Sequence, residues 1–194
     1  MKKHLFLTGS DSVANSVLLR TALDWRLATA GGFVTQCICG ANGTVTAREL
    51  CPAAAAAGVE GYTPLRFLDY RTEPPSKDNE VFRNFGVQLL QEAAYYPFSV
   101  LDGFGGFELV IPQFRAALAE FLSSDQPIIG VLIPREETEE LRRSLGIGEK
   151  LSLLSARLYE SLMANSDTLV LKTSGAGDET AKRIIRQWIS EYAG

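Results

Sequence analysis

Two stretches of this 194-residue chain carry residue types at spacings suited to phosphate and metal chemistry. The first is Gly9-Ser10-Asp11-Ser12-Val13-Ala14-Asn15-Ser16, followed by Val17. It comes after the apolar run Leu5-Phe6-Leu7 and leads into residues with helical spacing. That is the place of a glycine-rich loop whose backbone N–H groups hold a phosphate at a helix N-terminus. The full pattern for that task is Gly, four residues, Gly, Lys and a hydroxyl residue. Gly9 and Ser16 fit its ends, whereas Ala14 and Asn15 stand at the second glycine and the lysine. The second stretch, Phe98-Ser99-Val100-Leu101-Asp102, is an apolar strand ending in a carboxylate, as expected for a group that holds Mg²⁺ beside a bound nucleotide.

These residues meet only if the fold brings both strand ends to one edge of a sheet. Leu5 to Leu7, Phe98 to Leu101, Pro127 to Ile133 and Thr168 to Leu171 are short, apolar throughout and separated by helical segments. Such runs predict a mostly parallel sheet covered on both faces, an α/β architecture. Val13, Val17, Leu18, Leu23 and Leu27 predict the first helix, with Gly31-Gly32 closing it. Phe33–Cys39 and Thr44–Leu50 flank Asn42-Gly43, the signal for an antiparallel hairpin. Further helices are predicted over Val81–Tyr95, from Pro112, over Glu136–Leu145, Lys150–Met163 and Glu179–Tyr192. In open parallel sheets ligands bind beyond the carboxyl ends of the strands, where Gly9 and Asp102 fall. Nothing divides the chain, so residues 1–194 are expected to form a single domain.

Composition narrows the partners. Hydrophobic residues make up 46% and charged residues 22%, which excludes whole-chain disorder. The 19 Lys and Arg against 23 Asp and Glu leave a net charge of −4, with no basic footprint for nucleic acid or an anionic membrane. No apolar stretch has the length of a membrane span, and the apolar run near Met1 is too short for a secretory signal. The expected setting is cytoplasmic, with Cys37, Cys39 and Cys51 as free thiols acting as inert buried groups.

In the order of its motifs the chain resembles the small cancer-related nucleoside-triphosphatases and their archaeal and bacterial relatives. The resemblance rests on Leu7-Thr8-Gly9, Gly32-Phe33-Val34-Thr35, Phe85-Gly86-Val87 and Asp102-Gly103-Phe104-Gly105-Gly106-Phe107-Glu108-Leu109. Segments 52–80 and 136–165 match poorly. The resemblance implies a three-layer, RecA-like P-loop fold and Mg²⁺-dependent hydrolysis of nucleoside triphosphates. It makes Ser16 and Asp102 the metal pair and Gly9 to Val17 the nucleotide-binding segment, and it places Glu108 at the family's second acid.

The departures bear on activity. The family's lysine maps to Asn15, and the acid after its metal-binding aspartate maps to Gly103. Losing a charged hydrogen bond of about 1.5–3 kcal/mol weakens nucleotide binding by roughly ten- to a hundredfold. Losing a general base removes about 10²–10⁴ in rate. Asp11 adds a carboxylate where phosphate would sit, and Ala14 adds a Cβ where backbone should approach it. Arg135, after the strand end at Ile133-Pro134, is a candidate source of replacement positive charge.

Three readings follow. One is a hydrolysis-deficient relative that acts by binding nucleotide, a small anion or a protein such as an active relative. Another is an active Mg²⁺-dependent nucleoside-triphosphatase with a site rearranged around Ser16, Asp102, Glu108 and Arg135. The third is a small-anion or metabolite-binding domain that has abandoned nucleotides. Replacing Asn15 by Lys and Gly103 by Glu separates a merely impaired site from a remodelled one. The Gly9–Ser16 stretch also reads as an ordinary strand-to-helix turn capped by Asp11 or Ser12, and Lys172–Asp178 as a second such turn capped near Asp178. His4 reads as a surface residue, and Trp25 and Trp188 as packing residues.

Overall fold

The computed structural model describes residues 1–194. Eight strands form one sheet: β1 (His4–Gly9), β2 (Gly31–Cys39), β3 (Val45–Pro52), β4 (Leu65–Asp69), β5 (Ser76–Lys77), β6 (Ser99–Phe104), β7 (Ile128–Leu132) and β8 (Thr168–Thr173). Their order across the sheet is β5-β4-β3-β2-β6-β7-β1-β8. The run from β2 to β8 is parallel, and β3, β4 and β5 extend it in antiparallel fashion. The helices are α1 (Ser12–Leu23), α2 (Val87–Glu92), α3 (Pro112–Leu122), α4 (Arg135–Ser144), α5 (Lys150–Ala164) and α6 (Glu179–Tyr192). The architecture is three-layer α/β of the RecA-like kind, and β7 separates the strand that ends at Gly9 from the strand that carries Asp102. No helix is long and apolar enough to cross a membrane.

The alternation of side chains along each strand explains why the runs are apolar throughout. Leu5 and Leu7 point into a core under α1 and α6, while Phe6 between them points into a second core under α2, α3 and α5. Phe33 and Val34, and Leu101 and Val100, divide the same way. The second core is built on aromatic edges. Phe82 lies 4.8 Å from Phe67, 5.0 Å from Phe114 and 6.4 Å from both Phe33 and Phe107, each ring edge-on or steeply inclined. Phe82→Leu is expected to destabilise the fold by about 1–1.5 kcal/mol through lost ring contacts. Urea unfolding that matched the parent protein would show that this cluster does not hold the layer together.

Several local expectations change. The first helix ends at Leu23 rather than running on to Leu27, because Asp24 adopts φ 52° and its N–H bonds back to Arg20 O. Residues 24–29 continue as a 3-10 turn. Gly31-Gly32 does not cap that helix but opens β2, where a Cβ on Gly32 would collide with Val100 O and one on Gly31 would sit 2.8 Å from Ala93 Cα. Gly32 thus serves the close approach of β2 to β6, and Gly31 that of β2 to the turn at Ala93. The segment Val81–Tyr95 is helical but widens into a π-helix over Val81–Gly86 before α2. There Gly86 lets the ring of Phe114 come as near as 3.0 Å to where a Cβ would be. His4 is buried in β1 rather than exposed, and burial lowers its pKa. Trp188 is fully buried, but Trp25 is exposed with Arg26 stacked at 4.7 Å from its ring. Of the cysteines only Cys51 is buried, and burial pushes its thiol up to about 11, while Cys37 is half-buried and Cys39 exposed.

Candidate functional site

The β1–α1 connection is short. Gly9 ends the strand, Ser10 is exposed, and Asp11 already caps the helix. Ser12 to Ser16 therefore lie on the helix itself, not in a loop around an anion. Gly9 is required by its neighbour, since a Cβ would come within 2.5 Å of Thr173 O on β8.

The donors at the start of α1 are taken by the chain's own carboxylates. Asp11 Oδ1 accepts from the Ala14 N–H at 3.0 Å. Glu137, on α4, reaches across with both oxygens: one accepts from the Ser12 N–H at 2.7 Å and the other from the Ser12 hydroxyl at 2.5 Å. Two negative groups thus sit at the positive end of the helix dipole, where an anionic ligand would otherwise be stabilised. Glu137 acts as the built-in anion. Beside it a cavity of about 420 Å³ is lined by Asp11, Glu137, Glu140, Arg48 and Tyr70 among others. Three carboxylates against one guanidinium disfavour a polyanion there.

The other residues of the stretch have distinct places. Val13 and Val17 point outward, each about half exposed. Ala14 faces Gly175, where an added Cβ would meet the Ala14 methyl at 3.6 Å. Asn15, where the full phosphate-loop pattern has its lysine, is 1% exposed and turned toward β8, where its Oδ1 accepts from the Thr173 hydroxyl. Its Nδ2 is buried without a partner. Asn15 thus ties α1 to β8 and offers nothing to a ligand on the surface.

Ser16 and Asp102 do meet: the Ser16 hydroxyl donates to Asp102 Oδ1. The second oxygen of Asp102 accepts from Arg20 Nε at 2.7 Å, and Arg20 Nη2 donates to Thr35 O at 3.1 Å. Thr35 closes the ring by donating its hydroxyl to Asp102 O at 3.2 Å. Asp102 is completely buried, and burial pushes its carboxyl up, with Arg20 and Ser16 pulling the other way. Both carboxylate oxygens of Asp102 are thus engaged by the chain's own donors, one of them a guanidinium. No group of three or more His, Cys, Asp or Glu side chains is placed to hold a metal.

The remaining candidates lie apart from this ring. Glu108 is 3% exposed and folds back on its own turn, accepting from the Gly105 N–H at 2.5 Å and the Gly106 N–H at 3.0 Å. Burial raises its carboxyl. It is a structural cap for the turn after β6 and is not free to act as a general base. Arg135 is exposed at the first residue of α4, without an ion pair or a hydrogen bond. In the second glycine loop, Asp178 caps α6, accepting from the Ala181 and Ser174 N–H groups.

Sequence reasoning missed Arg20 and Glu137. Arg20 stands four residues after Ser16, which places both on one helix face, so the partnership was open to inference once Ser16 was singled out. Glu137 carried no comparable signal, because its contact with Ser12 spans 125 residues and depends on β7 lying beside β1. Comparison of this chain with family models, with curated proteins and with solved structures finds no match.

Proposed function

We propose that this chain is a RecA-like domain that does not turn over nucleoside triphosphate and acts by binding, with a cytoplasmic protein as the favoured partner. The observation that carries this reading is the saturation of the phosphate and metal positions by the chain's own side chains. Glu137 and Asp11 occupy the start of α1, and Arg20 occupies the metal's side of Asp102. The alternative of an active, rearranged triphosphatase would need Glu108 and Arg135 at the nucleotide. Glu108 is held by two backbone N–H groups of its own turn, which argues against it.

Calorimetric titration with ATP and with GTP, each with and without Mg²⁺, tests the proposal. No saturable heat is expected up to millimolar nucleotide. Micromolar binding that depends on Mg²⁺, accompanied by phosphate release, would overturn it. Asp11→Asn and Glu137→Gln together are expected to remove negative charge from the helix start without opening a Mg²⁺ site, because Arg20 remains on Asp102.

A further inference from the structure

The helix layer on one side of the sheet has a gap. There α2 packs directly against α3, whereas α3 and α5 stand apart and leave a slot of about 520 Å³ between them. Leu118 and Leu122 from α3 and Leu154, Leu158 and Leu162 from α5 give the slot an apolar lining. That volume and lining are typical of small-ligand sites. The outer positions are small, so the slot stays open: Ala116 and Ala119 face it from α3 and Ser161 from α5.

The charges on this slot have one sign. Arg115 and Arg157, one from each wall, are its only ionisable side chains. Arg115 is braced by donating from Nη1 to Leu109 O at 2.7 Å, and neither arginine forms an ion pair. In a chain with more acidic than basic residues, two unneutralised guanidiniums beside a leucine-lined slot are a specific arrangement. Their height in the slot is also set by the fold. Each helix lies on a crossover between parallel strands, so α3 and α5 run in the same direction. Arg115 and Arg157 each stand eight residues before the lower lining residues Ser123 and Asn165, about 12 Å along a helix. The slot therefore holds its two guanidiniums together at one level, with Pro112 and Leu154 above them, Leu118, Leu122, Leu158 and Leu162 running down from them, and Ser123 and Asn165 at the lower end.

We propose that this slot binds an unbranched aliphatic carboxylate, with its tail along the leucines and its head group on Arg115 and Arg157. An inorganic anion would use the arginines and leave the leucines in water, and a neutral hydrocarbon would leave the guanidiniums unanswered. A single amphiphile with an anionic head satisfies both.

Titration of the full chain with dodecanoate, octanoate and dodecyltrimethylammonium tests this. Dodecanoate is expected to bind saturably at one site. Octanoate, four methylenes shorter, is expected to bind more weakly by on the order of a hundredfold, at about fourfold per buried methylene. The cationic amphiphile with the same tail is expected not to bind. Arg115→Gln with Arg157→Gln is expected to weaken dodecanoate by about tenfold or more. Ala119→Trp, at an exposed position, is expected to block the slot, with thermal unfolding of both variants confirming an intact fold. The proposal falls if millimolar dodecanoate gives no saturable heat, or if the two carboxylates bind equally. It falls equally if the cationic amphiphile binds as well as dodecanoate, or if the arginine variant binds dodecanoate as the parent does.

Discussion

Replacing Arg20 by methionine is expected to lower the unfolding free energy by about 2–4 kcal/mol, measured by urea unfolding near neutral pH. The physical reason is asymmetry. Asp102 is completely buried, and Arg20 is the only cation paired with it. Removing one member of a buried pair leaves a charge that must either remain desolvated or take up a proton. Arg20 is itself partly exposed and Ser16 still donates to the other oxygen, which keeps the cost below that of a wholly enclosed pair. Its pH dependence has a definite sign. With Arg20 gone, the main influence that holds the Asp102 carboxyl down is lost, and burial, opposed only by the Ser16 hydrogen bond, drives it further up. A carboxyl raised above its unfolded value favours the folded state at low pH, and that contribution is lost as pH rises through the folded value. The Arg20→Met variant should therefore lose least stability in mild acid and most near neutrality. Arg20→Met combined with Asp102→Asn should recover most of the loss, since a neutral amide can still accept from Ser16. Wild-type stability in Arg20→Met at neutral pH would mean that the guanidinium is not the cation Asp102 depends on.

The same ring of residues shows how far the sequence could be read. Runs such as Leu5 to Leu7 and Pro127 to Ile133 were legible as strands because both faces of the sheet are covered, which removes any need for polar alternation. The hairpin was legible at Asn42-Gly43, where Gly43 takes φ 80°. The end of α1 was not, because apolar spacing continues through Leu27 while the backbone turns at Asp24. At the site, the pairing of Ser16 with Asp102 follows from the topology, since α1 and β6 meet at one sheet edge. What the sequence concealed is the state of that pair. A serine and an aspartate that could hold a metal look the same, as letters, as a serine and an aspartate already held by an arginine one helical turn away. The burial of Asn15 and Glu108 was hidden for a similar reason. Both carry polar side chains at positions where a ligand site would place them, and both have partners inside the fold.

Introducing the lysine and the acid that the proposed resemblance calls for should therefore not confer catalysis. The Asn15→Lys and Gly103→Glu double variant is expected to show no Mg²⁺-dependent phosphate release and to be strongly destabilised. Gly103 has φ 83°, where a side chain costs about 1–2 kcal/mol. A Cβ there would also collide with Thr35 Oγ1, adding about 1–3 kcal/mol of overpacking in a ring that cannot yield without releasing the Asp102 carbonyl. Asn15→Lys breaks the bond from the Thr173 hydroxyl and places an ammonium at a position that is 1% exposed, costing about 2–4 kcal/mol more. The parts can be separated by thermal and urea unfolding of single variants. Gly103→Asn, which tolerates the left-handed region better, should be milder than Gly103→Glu. Thr35→Gly added to Gly103→Glu should relieve the collision and leave the backbone strain. A folded double variant that released phosphate from ATP only with Mg²⁺ would show the site to be an impaired triphosphatase centre after all. Its failure to do so, with Arg20 still on Asp102 and Glu137 still on Ser12, would trace the lack of turnover to the occupied geometry of the site rather than to these two side chains.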